Sequence, residues 1–449
     1  MYYLLVVCFL LSSCATRTHL SDQYIERVDP LIKMKQSEST NLLILVDGLS
    51  VRLLQSALTR SQLPSSKDFF LKQGQGVQRA HSVFPTLTFT NIAGILKEKP
   101  VHLSGALGNK LFIKNRLVDF ENLADRHFFT EFMRNDNVFT RLKEKNTVSL
   151  DYGLASDATT STEFDLKSAY AASQTDYAYL DQKKIDGLKI LLEKVSPKYW
   201  PHFIFIHLVG VDFISHRFGA GSREAYDYLL DLDRQLRPLL QLLKENEKFR
   251  EIKTILTADH GFSFHKNIYV PIESVVGHVS KEIKLVNEGR HAALYYATRP
   301  HSTQVAADAK KILSHKGIEI VAYKTNEGFR FESKSLKLTV TQEPNGNCSP
   351  NFFFVSIGGS QPECTNQLPT NLNQLFYPYF IQNAVSYLQA EKAPDILVVP
   401  EKNVAFLPQK GGMHGGPTLD ETLVPLLLRN LKTPPDSVPA GWQLLSFVE

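Results

Sequence analysis

The chain has 449 residues, 43% of them hydrophobic and 21% charged, the composition of a folded globular protein. Fifty Lys and Arg against 46 Asp and Glu leave a formal charge of +4 with no block of like charge, which excludes a nucleic-acid-binding stripe. The length suits one large α/β enzyme with an inserted subdomain.

Met1 to Leu11 is an apolar run that leads into Leu11-Ser12-Ser13-Cys14. It is too short to span a bilayer and reads as a signal h-region. The Leu-Ser-Ser-Cys ending resembles a bacterial lipobox, in which the cysteine becomes the lipidated first residue. No Lys or Arg precedes the run, and plain signal cleavage near the same residues is the alternative. The expectation is a signal segment over 1–14, lipid on Cys14, and a polar tether over 15–40. That places the enzyme in the bacterial cell envelope, lipid-anchored to the membrane and facing the periplasm. No other segment is long and apolar enough to span a membrane.

The catalytic domain is expected over 41–449. Short β-rich runs recur along it: Leu42–Val46, Phe203–Ile206, Ile255–Thr257, Ile396–Val399 and Leu423–Leu428. They read as buried strands. Residues 223–247 place Leu229, Leu232, Leu236, Leu239, Leu240 and Leu243 at helical spacing, with Pro238 predicting a kink. Alternating strands and helices predict an α/β fold with a mostly parallel central sheet and helices on both faces. Residues from about 300 to 392 differ. Val305–Leu313 is helical, Ile318–Tyr323 and Leu336–Thr341 alternate like strands, and a Pro/Asn/Gly-rich stretch follows. They are expected to form a small inserted α+β cap. Cys348 and Cys364 lie sixteen positions apart in that stretch, and in an oxidising compartment they read as a disulfide.

The chemistry sits at the ends of the runs. Asp47 ends the first, and Asp212 and His216 follow the 203–208 run. Asp259 and His260 end the 252–258 run, and His414 follows the 395–399 strand. Open α/β sheets bind ligands at the carboxyl ends of their strands, so these six residues are expected on one rim. Imidazole and carboxylate together suit zinc best, with manganese or iron as alternatives. Singly, each residue is more often a helix cap or a satisfied core group. Only the ordered set argues for a site.

That set, in that order, resembles the alkaline phosphatase superfamily, and within it the nucleotide pyrophosphatase/phosphodiesterase branch. The resemblance covers about 41–275 and 393–430. It implies two divalent ions, one held by Asp212, His216 and His414, the other by Asp47, Asp259 and His260 with Thr88 beside it. The segment Phe84-Pro85-Thr86-Leu87-Thr88-Phe89-Thr90-Asn91 resembles the family's nucleophile segment, with Thr90 where a Pro is usual. It implies Thr88 as nucleophile, with Thr86 as the competing candidate. Asn109, 21 residues on, stands where the branch places an amide donor to a phosphoryl oxygen.

Two divalent charges less three carboxylates leave the site near +1, which matches a phosphodiester. Related Thr-dependent monoesterases add a Ser-x-Lys-x-Arg segment. Here the corresponding stretch is Ser149-Leu150-Asp151-Tyr152-Gly153, which carries neither cation. No Cys-x-Pro-x-Arg stretch marks a sulfatase. The expected activity is hydrolysis of a small phosphodiester, nucleotide or phospholipid-derived, through a phospho-threonine. Alternatives on the same fold are a phosphoethanolamine or phosphoglycerol transferase and a phosphomonoesterase. A non-catalytic binding protein would lack ligands or nucleophile, and all seven positions are intact.

Overall fold

The computed structural model describes residue 20 and residues 39–447, apart from 73–75, 114–115, 123, 152–153, 155–156, 163, 265–267, 281, 299, 342–352, 358–362, 366–376 and 432–437. Cys14 and Cys348 lie outside the described residues, and Cys364 falls in a strand described by its backbone alone. The lipidation and disulfide expectations lie outside them too, as does the tether up to residue 38 except Leu20, which is half-buried and packs against the main core.

Seven strands build the central sheet: β1 (Asn41–Val46), β2 (Gln78–His81), β3 (Thr147–Leu150), β4 (Thr160–Ser161), β5 (Phe203–Leu208), β6 (Lys253–Thr257) and β7 (Leu423–Arg429). Their spatial order is β2-β7-β6-β1-β5-β3-β4. From β6 to β4 every pairing is parallel, and β7 runs antiparallel to both β6 and β2. β1 and β5 are buried at every position, which is why both read as unbroken apolar runs rather than alternating ones. The fold is α/β with a mostly parallel central sheet, as expected.

Helices that follow the strands aim the site residues. After β1 comes α1 (Val51–Thr59), capped by Ser50, whose hydroxyl accepts from Leu53 N at 3.1 Å. α2 (Thr88–Lys97) starts at the expected nucleophile. α3 (Tyr177–Lys194) precedes β5, and α4 (Gly210–Phe218) follows it. α5 (Arg223–Glu245) buries its leucine stripe, as its spacing predicts. It continues through Pro238 unbroken. Pro238 lies on the exposed face beside exposed Arg234, where water can take up the carbonyl that loses its donor.

A second, antiparallel sheet lies in the later half of the chain. Its order is Ile283–Asn287, Ala292–Tyr296, Ile396–Pro400, Ile318–Thr325, Gly328–Ser333, Lys337–Thr341, Phe353–Ile357 and Glu363–Thr365. It is larger than a cap bounded at 300–392, because Ile396–Pro400 pairs inside it rather than with the central sheet. Alternation divides its faces. Ile320, Ala322, Leu397 and Val399 join the main core, while Val321, Tyr323, Ile396 and Val398 pack with Val305 and Ile312 in a smaller one. Among the described residues, no helix is long and apolar enough to cross a membrane.

Candidate active site

Asp47 leaves the carboxyl end of β1 through Gly48, whose φ is +68°. A Cβ there would stand 3.0 Å from the Asp212 backbone. Only glycine combines this turn with so close an approach. Asp212 and His216 stand four residues apart on α4, so they share a face. Asp181 of α3 holds that helix in place, accepting from Val209 N at 2.8 Å, Gly210 N at 3.0 Å and the Tyr228 hydroxyl at 2.9 Å. Asp259 and His260 follow β6. His414 arrives on the loop before β7, where Gly415 has a φ of +105°.

The six expected ligands converge. His216 Nε2 lies 3.0 Å from His414 Nε2 and 3.6 Å from Asp212 Oδ2, and His414 Nε2 lies 3.5 Å from Asp212 Oδ1. His260 Nε2 lies 3.4 Å from Asp47 Oδ1 and 3.3 Å from Asp259 Oδ2. Two ligand groups result, Asp212–His260–His414 and Asp47–Asp259–His260. His260 thus stands between the two expected sets, its ring stacked on that of His414 with centroids 3.6 Å apart.

These residues fit a cation. Asp47 Oδ1, Asp212 Oδ1 and Asp259 Oδ2 are buried without a hydrogen-bond partner, a costly state unless a positive charge meets them. Burial pushes all three carboxyls well above the usual range, and Asp47 and Asp259 also raise neighbouring members of the set. Burial lowers His260 to about 3 and His216 to about 4, and it also holds His414 well below the ordinary imidazole range. Neutral imidazoles are the ligating form. The Nδ1 atoms of His260 and His414 are engaged by the carbonyls of Gly261 at 3.0 Å and Thr86 at 2.9 Å. Both rings therefore present Nε2 to the site.

Thr88 is the first residue of α2, and its Oγ1 lies 3.1 Å from His260 Nε2. Thr86 is fully buried. Its hydroxyl donates to Gly416 O at 2.8 Å and accepts from Gly415 N at 3.0 Å. The two candidates are thus separated: Thr88 faces the cluster, and Thr86 ties its own loop to that of His414. Asn91 braces the same loop. Its Oδ1 accepts from Val83 N at 2.8 Å, and its Nδ2 reaches the carbonyls of Pro85 and Leu87 at 3.2 and 3.0 Å.

Asn109 comes to the head of α2. The Phe89 amide donates to its Oδ1 at 3.2 Å, so this first-turn amide is spent on Asn109 rather than left for an anion. Asn109 Nδ2 donates to Glu121 Oε1 at 2.8 Å. Asp151 is buried beyond β3, where its charge acts on Lys184 and Arg126. Gly153 lies outside the described residues.

Several supporting residues escape sequence reading. His207 on β5 hydrogen-bonds Asp47 Oδ2 through Nε2 at 2.9 Å. Fully buried Lys184 donates to the His207 carbonyl, and burial lowers it to about 8. A buried Arg290–Glu421 pair, at 3.1 and 3.3 Å, holds the His414 loop, with Glu421 Oε1 accepting from Gly416 N at 3.1 Å. In the sequence these look like ordinary core or strand positions; only long-range packing gives them partners.

A structure of phosphonoacetate hydrolase from Sinorhizobium meliloti 1021 in complex with phosphonoformate is similar over 92% of this chain and 95% of its own, with TM-score 0.59 and 16% identity. Murine ectonucleotide pyrophosphatase/phosphodiesterase 5 is similar over 91% and 93%, with TM-score 0.58 and 15% identity. An inactive variant of the murine protein in complex with AMP has TM-score 0.58 and 14% identity over 92% of this chain and 95% of its own. These likenesses establish the fold. No curated protein sequence matches the chain. The family described as type I phosphodiesterase/nucleotide pyrophosphatase matches residues 41–416. Over that span, which takes in every residue of the cluster, the chain belongs to the type I phosphodiesterase/nucleotide pyrophosphatase family of phosphoric ester hydrolases.

Proposed function

We propose that this enzyme is a two-metal phosphodiesterase that works through a phospho-threonine at Thr88. The observation that carries the reading is the placement of Thr88 Oγ1 3.1 Å from His260 Nε2, at the edge of a cluster whose carboxylate oxygens lack partners. Asp47, Asp259 and His260 would hold one divalent ion, and Asp212, His216 and His414 the other, with zinc suiting the donor set best. Ions bound there would make a hydroxyl acidic and offset phosphoryl charge.

The chain's own residues supply the rest. Thr88 Oγ attacks phosphorus, the Oγ–P bond forms, and the bond to the leaving alcohol breaks in line. The hydroxyl proton passes to solvent, and the departing alkoxide takes one up. Water then cleaves the phospho-threonine and restores Thr88. Asn109, whose amide is held by Phe89 N and Glu121, would donate to a phosphoryl oxygen. A diester is favoured because the position expected to carry a lysine is Asp151. The natural substrate is a small phosphodiester, and the enzyme works at the cell envelope, anchored through Cys14.

The test compares wild type with Thr88→Ala and Thr86→Val on bis-p-nitrophenyl phosphate and p-nitrophenyl phosphate, with metal content measured in each. Wild type should contain two ions per chain and prefer the diester. Thr88→Ala should keep its metal and lose turnover. Full activity in Thr88→Ala overturns the mechanism, and preference for the monoester overturns the specificity.

A further inference from the structure

Asn109 is held at both ends. Oδ1 accepts from Phe89 N, and Nδ2 donates to Glu121 Oε1. These partners settle which end of the amide is nitrogen. Nδ2 carries two hydrogens. Glu121 takes one, and in the mechanism proposed above the other would serve a phosphoryl oxygen beside Thr88. A carboxylate therefore stands one amide group away from the transferring phosphoryl. Phe89 follows Thr88 in the first turn of α2, so the contacts run from Glu121 through Asn109 to the residue beside the nucleophile. Half-buried Arg126 interacts electrostatically with both Asp151 and Glu121 and offsets part of the Glu121 charge.

The geometry points to Glu121 as the residue that reads the charge of the substituent retained on phosphorus. The inference rests on the phosphodiesterase reading above. Attack by Thr88 expels one oxygen and keeps the others. In a monoester the retained substituent is an oxygen that brings a second negative charge. In a diester it is an alkoxy group. A carboxylate beside Asn109 opposes the second charge, is indifferent to a neutral alkoxy group, and attracts a cationic one such as an amino alcohol. Glu121 is a specificity-determining residue, because it acts on the substituent without taking part in bond making.

Three esters with one leaving group test this. p-Nitrophenyl phosphate retains a charged oxygen, methyl p-nitrophenyl phosphate a neutral group, and p-nitrophenylphosphorylcholine a cation. kcat/KM for each is measured in wild type and Glu121→Gln, which keeps an acceptor for Asn109 while removing the charge. Relative to the methyl ester, the variant should gain about tenfold on the phosphate and lose about tenfold on the choline ester, the scale of one partly screened charge. A merely structural role would move all three together. If both ratios stay put while wild type hydrolyses the methyl ester and Thr88→Ala does not, this inference falls and the mechanism stands. If wild type hydrolyses none of the three, the phosphodiesterase reading falls and this inference with it.

Discussion

The Nδ1 atom of His414 lies 2.9 Å from the carbonyl oxygen of Thr86. This contact turns Nε2 of the same ring toward His216 and Asp212, and it couples the Thr86–Thr88 loop to a proposed metal ligand 328 positions away. The Thr86 hydroxyl strengthens the join through Gly415 N and Gly416 O. Thr86→Val keeps the shape and leaves both backbone groups buried without that partner. It should lower stability by about 1–3 kcal/mol. Denaturant unfolding measures the loss, and an unchanged midpoint with full activity would count against the coupling.

Metal removal should have a pH-dependent effect. Burial and mutual repulsion raise Asp47, Asp212 and Asp259 above the ordinary aspartate value of 3.8, so the folded metal-free protein holds protons that the unfolded chain has released. Stability falls with rising pH wherever the native state binds more protons. The depressed imidazoles of His216 and His260 oppose this below the ordinary histidine value of 6.5. Above it that opposition ends, and buried Glu288, raised to about 8, adds to the protons the carboxyls hold. Bound ions displace those protons. The Tm gain on adding zinc to chelator-stripped enzyme should therefore grow as pH rises above 3.8, the ordinary aspartate value, with proton release in calorimetry. A gain that shrinks over that range contradicts the assignment.

His207 is a positioning residue for Asp47. Its Nε2 holds Oδ2 at 2.9 Å and leaves Oδ1 directed at the cluster. His207→Leu should weaken metal affinity by about 10–100-fold in chelator competition. His207→Gln, which can still donate, should recover much of it. Equal losses in both variants would point to packing instead.

Asn109→Ala removes the amide that Phe89 and Glu121 hold in place. The loss should fall mainly on kcat, by about 10²–10³-fold, with metal content unchanged. A variant changed only in KM would remove Asn109 from the chemical step.

The envelope assignment is tested on mature protein from membranes. Mass spectrometry should find lipid on Cys14 and a Cys348–Cys364 disulfide in a non-reduced digest. A soluble, unlipidated form starting beyond residue 14, or free thiols at 348 and 364, would refute the respective claim.

The sequence alone marked carboxylates that gather at the cluster. Asp47, Asp212 and Asp259 were legible because a parallel sheet sends every strand the same way and collects whatever follows the strands on one rim. The α5 leucine stripe was legible because helical periodicity is local. Tertiary structure decided what depends on partners distant in the chain. His260 stands between the two ligand groups because β1, α4, β6 and the His414 loop meet there. Thr86 and Thr88, indistinguishable as residue types, part company because α2 begins between them and turns one into the core. Ile396–Pro400 joins the second sheet because it pairs with Ala292–Leu294 and Ile318–Tyr323. Hydrophobic patterning marks a buried strand but cannot say which strand it will hydrogen-bond. Glu121 and His207 likewise acquire roles only when folding brings Asn109 and Asp47 within 3 Å of them.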